Sequence, residues 1–322
     1  MNLIIKGALL LTQLAAALFC SAQQQVPTLP TPASLYLNLD SAEAIFLQNN
    51  FLLLAQKYTV DVAKALVIQA KLYPNPNFNF STTIYNQEAK KIFPSPFSSN
   101  GEAISSISQL IILAGKRNKQ VRLAQANLHL NEYQFFDLIR TLKYTLRTDF
   151  FNIYYLQQSA KAYDAEIKAL TQIVNAFELQ RDKNYIAEKE VLRIKALLYS
   201  FQSEYNDLQN QINDIESELR QVLQIKPYTY IIPVPYSEAI SNLNPLKYQL
   251  ATLLDTAYSH RTDLLIAREN TNINQLNYKY QQALAVPDVI ANISYDQQGS
   301  YVHNLSMAGF AIDLPFFNRN QG

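Results

Sequence analysis

The sequence predicts a mixed α and β membrane protein, in which four transmembrane β-barrel strands per chain join a long α-helical coiled-coil hairpin. Three observations carry this reading. From Lys116 to Lys226 there is neither Gly nor Pro, a run of about 110 residues that exceeds any ordinary globular helix. Four short stretches read as strands, and the first of each pair alternates polar and apolar residues with a period of two, the second less cleanly. A unit of helix, strand, strand and hairpin begins twice, which marks an internal duplication. Composition agrees with a membrane interface or long packed helices: charged residues make up 16 %, and 21 Tyr and 16 Phe occur without a single Trp. Net charge is +1, and Lys6 of the N-terminal segment accounts for it, so no basic field is present to hold a nucleic acid.

Residues 1–22 read as a signal peptide, with Lys6 in a short head, an apolar run from Ala8 to Phe19, and small residues before a cleavage expected after Ala22. The apolar run is too short to span a bilayer, and Gln23, Gln24 and Gln25 follow it directly. Removal of the leader takes away Cys20, the only cysteine, so the mature chain is expected to hold no disulfide and no cysteine metal site. No later stretch is apolar and long enough for a transmembrane helix, and any crossing of a membrane falls to strands.

Residues 23–38, with Pro27, Pro30 and Pro32, are expected to form an extended arm. A first-repeat helix is expected over 39–74, with Asp40 as its cap and Glu43 reaching back in a capping box. A first β-hairpin with an outer loop follows over 75–114. Its leading strand places Phe78, Phe80 and Ile84 on one side, suited to lipid, and Asn77, Asn79, Ser81 and Thr83 on the other, suited to water.

The long helical hairpin occupies 115–226. Its first arm repeats apolar residues at steps of four and three from Leu142 through Phe150, Leu156, Tyr163 and Leu170 to Phe177. The second arm does the same from Val191 through Leu198, Tyr205 and Ile212 to Val222, which is the heptad spacing of a coiled coil. Between the arms, near 181–187, Arg181, Asp182, Lys183, Asn184 and Tyr185 form a polar turn in which Asn184 tolerates a left-handed backbone. Arms of 40 to 60 residues reach roughly 60 to 90 Å.

After a linker over 227–245 the unit begins again. Asp40-Ser41-Ala42 returns as Asp255-Thr256-Ala257, Leu52-Leu53-Leu54-Ala55 as Leu264-Leu265-Ile266-Ala267, and Pro74 as Pro287, each about 213 residues on. The second helix is expected over 246–286 and the second β-hairpin over 287–315. Its leading strand sets Val289, Ile293 and Tyr295 against Asn292, Ser294 and Asp296, lipid side against lumen side. Residues 316–322 open a second long hairpin, so the natural chain is expected to continue for roughly another hundred residues. Four strands cannot close a barrel around a conduit, and several chains are therefore required.

The order of elements and the local motifs together resemble the TolC-type outer membrane efflux family, from about Leu37 onward. The segment from Leu37 to Ile45, followed by Asn49-Asn50, is similar to the family's opening helix. Leu314-Pro315-Phe316-Phe317-Asn318-Arg319 is similar to its second strand-to-helix junction. Tyr73-Pro74-Asn75-Pro76 and Leu113-Ala114-Gly115-Lys116-Arg117 are similar to the cobalt-zinc-cadmium and copper-silver resistance branch, although Ala114 stands where that branch often has glycine.

The resemblance implies a homotrimer whose chains close one barrel in the outer membrane and whose hairpins form a periplasmic tunnel. It implies docking to a periplasmic adaptor and an inner membrane pump of the RND type, with metal ions or small toxic compounds as cargo and heavy metal resistance as the outcome. The hairpin tip, Arg181, Asp182, Lys183, Asn184, Tyr185, Glu188 and Glu190, becomes the candidate adaptor contact, its plain alternative being a polar turn. Lys116 and Arg117 become candidate basic residues at the barrel rim, because cations oppose the dipole at a helix start unless something else holds them.

No catalytic constellation accompanies these features. His129, His260 and His303 are scattered without metal-ligand spacing, and six glycines widely spread form no phosphate-binding loop. No enzyme activity, metal site, cofactor or nucleic-acid partner is expected. The competing reading is an exported coiled-coil scaffold or adhesin, which accounts for the leader and the heptads and leaves the duplicated strand pairs unexplained.

Overall fold

The computed structural model describes residues 33–95, 98, 101–234, 248–298, 302–318 and 320. The signal peptide, the arm up to residue 32 and the linker from 235 to 247 lie outside the described residues. In chain order the elements are β1 (Ala33–Leu37), α1 (Leu39–Asn49), α2 (Phe51–Lys71), β2 (Asn77–Thr82), β3 (Tyr85–Asn86), β4 (Lys91–Ile92) and β5 (Ala103–Ile111). They continue with α3 (Lys116–Asp182), α4 (Glu188–Leu223), β6 (Thr229–Pro233), α5 (Leu250–His260), α6 (Thr262–Leu284), β7 (Val289–Asp296) and β8 (Leu305–Ile312). Among the described residues no helix is long and apolar enough to cross a membrane. The chain divides into two compact units, one of residues 1–42 with 149–235 and the other of residues 43–148 with 236–322.

In the first unit the two arms of the hairpin pack along their heptad residues. Ala160, Leu208 and Ile212 form one buried cluster, with Leu156, Tyr163 and Tyr205 against it. Leu170, Val174 and Leu198 form another, with Ile167, Ile194 and Phe201 packed on it. Polar groups at the edges add specificity: Tyr163 Oη donates to Glu204 at 2.9 Å, and Lys195 pairs with Glu178. The turn closes as a Schellman motif, the Tyr185 N–H bonding the Gln180 carbonyl and the Asn184 N–H the Arg181 carbonyl. Asn184 takes the left-handed conformation at φ 60°, which a short amide side chain tolerates.

The same unit holds a sheet where none was expected. Residues 33–37, taken from sequence as the end of an extended arm, are strand β1. Residues 229–233, taken as linker, are β6, and the two pair in parallel from Ala33 opposite Thr229 to Leu37 opposite Pro233. Two five-residue strands that find each other across the whole hairpin leave no local signature, since their pairing is set by contacts far apart in the chain. Pro233 ends its strand, where a missing N–H costs no ladder bond.

In the second unit β2, β5, β7 and β8 form one antiparallel sheet in that order. The helices beside it are broken where single uninterrupted helices were expected. Asn50 leaves helical geometry and its side chain accepts the Leu52 and Leu53 N–H groups, so α2 starts afresh behind α1. In the second copy the break falls at Arg261, between α5 and α6. The capping box is also corrected. Asn38, not Asp40, caps α1 by accepting the Ser41 N–H at 2.7 Å. Glu43 points away from the cap to pair with Lys143 at 2.8 Å and Arg147 at 2.6 Å. Two cations outcompete one backbone N–H for that carboxylate.

Candidate functional site

The sheet sorts its side chains by chemistry. Residues directly opposite in a ladder point to the same face, so the register assigns every position. Phe78 faces Ile107, which faces Ile293, which faces Ala308. On that face also lie Phe80, Tyr295, Val289, Phe310 and Ile312, with Ser105, Gln109 and Ser306 as its polar members. Asn79 faces Ser106, Ser294 and Met307 in turn, and Asn77, Ser108, Asn292, Ser81 and Asp296 share this opposite face. Five of the six residues read as lipid-facing thus share one side of a single sheet. Six of the seven read as lumen-facing share the other. Ile84 and Thr83 lie just past the end of β2. The polar face is interrupted by Ile104 and Leu110 of β5, Ile290 of β7, and Leu305, Met307 and Ala311 of β8, so β5 and β8 alternate less cleanly than the leading strands.

Both outer strands of the sheet, β2 and β8, have an unpaired edge among the described residues. An open edge is a row of unsatisfied N–H and C=O groups, tolerable in water and expensive in hydrocarbon.

At the junction of sheet and helix the basic pair is held from within the chain. Lys116, 6 % exposed, bonds the Asp288 carboxylate at 2.8 Å, and the same oxygen accepts the Leu113 N–H at 2.9 Å. Burial pushes the Asp288 carboxyl up, but the Lys116 ammonium and the Leu113 N–H together outweigh it and hold the group below the usual carboxylate range. The latch ties the start of the hairpin in the first repeat to the start of β7 in the second. Arg117 donates to the Lys71 carbonyl at the end of α2 and lies 3.9 Å from the centre of the Tyr73 ring. Between strand and helix, Ala114 at φ 56° and Gly115 at φ 64° both adopt the left-handed conformation. A glycine does so freely and an alanine does not.

At the other end of the hairpin Arg181 bonds Asp182 at 2.8 Å and approaches Glu188 at 3.4 Å, which joins the end of α3 to the start of α4. Glu190 pairs loosely with Arg193 at 3.8 Å. Lys183 is exposed, and Tyr185 projects with 77 % of its surface free.

Near the base of the hairpin the structure shows ionisable groups that sequence reading did not single out. Glu216, 1 % exposed, pairs with Arg220 at 3.1 Å; Arg220 also bonds the Thr229 carbonyl, and Gln157 bonds that of Ile231, which fastens β6 to both arms. Burial raises the Glu216 carboxyl against the opposing pull of Arg220 and Gln157. Asp149, 6 % exposed, has no partner for Oδ2 among the described residues. Burial, with the Glu218 charge, pushes its carboxyl up to about 6. The i, i+4 spacing of Glu216 and Arg220 and the position of Glu216 four residues after Ile212 were visible signals for the first pair; for Asp149 there was none.

Among the described residues no three His, Cys, Asp or Glu side chains converge to hold a metal ion. His129 and His260 make local contacts, to Glu132 and to Ser259 respectively.

A family model described as outer membrane efflux protein matches residues 45–223, more than half of the chain. The chain belongs to that family. Its place is the outer membrane. Among curated proteins, the cobalt-zinc-cadmium resistance protein CzcC of Cupriavidus metallidurans is 20 % identical over 98 % of this chain and 72 % of its own length. Among solved structures, the CmeC outer membrane channel of Campylobacter jejuni superposes with a TM-score of 0.68 at 15 % identity, over 87 % of this chain and 62 % of that one. CusC gives 0.67 at 15 % identity, over 88 % and 67 %. This outer membrane efflux protein therefore shares the channel fold, and it spans between 62 % and 72 % of the length of these three relatives.

Proposed function

We propose that this chain is the outer membrane channel component of a tripartite efflux system, a passive exit duct with no chemistry of its own. The observation that carries the proposal is the sheet: four strands, mostly apolar on one face, with the polar residues of β2 and β7 gathered on the other and both edges open among the described residues. Three copies, joined edge to edge, give a barrel of about twelve strands, wide enough for an aqueous lumen, and satisfy every exposed backbone group. In that barrel Asn77, Asn79, Ser81, Thr83, Asn292, Ser294 and Asp296 face the lumen. Phe78, Phe80, Ile84, Val289, Ile293 and Tyr295 face lipid.

The hairpin then extends into the periplasm and meets the adaptor at its tip, where Arg181, Asp182, Lys183, Asn184, Tyr185, Glu188 and Glu190 supply charge of both signs and an exposed ring. Energy comes from a partner pump, and the likeness to CzcC favours divalent metal cations as cargo over organic compounds. Lys116 and Arg117, the basic residues at the barrel rim, serve this machine there as latch and cap.

The test is growth of a Gram-negative host lacking its own efflux duct, with the matching pump and adaptor supplied, across zinc, cobalt, cadmium, copper, dyes and bile salts. Restored tolerance to metals alone supports the proposal in full. Restored tolerance to dyes and bile salts keeps the duct and overturns the metal cargo. No rescue by protein that reaches the outer membrane favours an exported scaffold.

A further inference from the structure

The outer loop of the first repeat carries a small hairpin that the duct itself does not need. Strands β3 and β4 pair Tyr85 with Ile92 and Asn86 with Lys91, and the Phe93 N–H closes the base on the Ile84 carbonyl at 2.7 Å. Tyr85 and Ile92 lie opposite each other and share one face; Ile84 and Phe93 flank the ladder at its base, Phe93 in the left-handed conformation at φ 47°. All four are between 54 % and 73 % exposed. The turn is polar, formed by Gln87, Glu88, Ala89 and Lys90, with the Ala89 N–H bonded to Asn86, and Lys91 stands beside it. The result is a finger with an exposed apolar base and two adjacent lysines toward its end. The short connection between β7 and β8 in the second repeat has no counterpart among the described residues.

We propose that this finger anchors the barrel in the outer leaflet, its apolar base in the acyl region and Lys90 and Lys91 on the phosphates of an anionic glycolipid. The inference rests on the barrel reading above. Two features favour lipid as the occupant. The ladder of β2 and β5 continues past its end, Thr83 bonding the Glu102 carbonyl at 3.2 Å, so Ile84 follows Phe78 and Phe80 in the alternation of the apolar face. Height fits as well: from Asn77 to Ile84 the chain rises about 23 Å, or about 18 Å at a barrel's usual tilt, which leaves the base of the finger inside an apolar band about 25 Å tall and its turn near the upper border. The lysines then stand at headgroup depth, where long cationic side chains meet anionic lipid.

The chain has no Trp, so one introduced ring reports alone. Phe93→Trp and, separately, Phe78→Trp are made in the protein purified from outer membranes. Each is reconstituted into phosphatidylcholine vesicles with or without lipid A, and quenching by lipids brominated at defined depths is read. Expected is strong quenching at position 93 by shallow bromines, greater with lipid A, and loss of the lipid A increment in a Lys90→Glu/Lys91→Glu background. An unquenched reporter at 93 beside a quenched one at 78 overturns the anchor and leaves the barrel intact. Quenching that ignores both lipid A and the charge reversal overturns the phosphate contact. An unquenched reporter at 78 overturns the barrel reading and the anchor with it.

Discussion

Asp149→Asn should stabilise the protein at neutral pH and do nothing in acid. Asp149 is 6 % exposed, its Oδ2 has no partner among the described residues, and burial with the Glu218 charge lifts its carboxyl from 3.8 to about 6. The folded state therefore holds this proton more tightly than the unfolded chain. The favourable contribution is complete below pH 3.8, fades as pH rises to about 6, and is absent above, where the fold carries a buried charge without a counter-ion. A shift of about two units corresponds to roughly 3 kcal/mol. Asparagine imitates the protonated carboxyl in size and neutrality, so the variant escapes that cost. Unfolding midpoints in detergent, wild type against variant, from pH 4 to pH 8 provide the assay; other carboxylates titrate in both proteins and cancel. The difference should grow from near zero at pH 4 to about 3 kcal/mol at pH 8. A difference independent of pH, or one that appears only in acid, refutes the reasoning.

Three further predictions follow from the same physics. Lys116→Met leaves Asp288 half-buried without its cation and should cost about 2 to 4 kcal/mol in thermal stability, most of it regained in Lys116→Met/Asp288→Asn, which keeps an acceptor for the Leu113 N–H. Ala114→Gly removes a side chain from a left-handed position and should raise the melting midpoint, by about 1 kcal/mol at most after the entropy of glycine is subtracted. Arg220→Ala strands Glu216 in the core and frees β6; because burial already raises the Glu216 carboxyl, the loss, about 3 kcal/mol, should be larger at pH 8 than at pH 5 in denaturant titrations.

What was legible in the sequence was whatever repeats or alternates. The heptads of the long arms put Leu170, Val174 and Leu198 in one cluster, and Ala160, Leu208 and Ile212 in another, because a period near 3.5 residues fixes one seam. Alternation sorted Phe78 from Asn79 and Ile293 from Ser294, since a period of two admits no other division. The turn at Asn184 was visible in residue type alone. Contacts made across the chain were not legible. The β1–β6 pair joins segments on either side of the entire hairpin, and the partner of Lys116 lies in the other repeat. The capping box at Asp40 failed because Glu43 had stronger partners in α3, which no local motif reveals. The helix breaks at Asn50 and Arg261 were hidden by apolar runs that continue through them, although Asn50 is a strong cap residue once its neighbours leave helical geometry.

The central claim is that one face of the sheet meets lipid and the other meets water. Single cysteines at Phe78, Asn79, Phe80, Ser81, Asn292, Ile293 and Ser294, in a Cys20→Ser background, are exposed in intact outer membranes to a charged thiol reagent. The account predicts alternation: positions 79, 81, 292 and 294 react, while 78, 80 and 293 stay protected until detergent dissolves the membrane. Equal reaction along both faces would place the sheet in water and contradict the account.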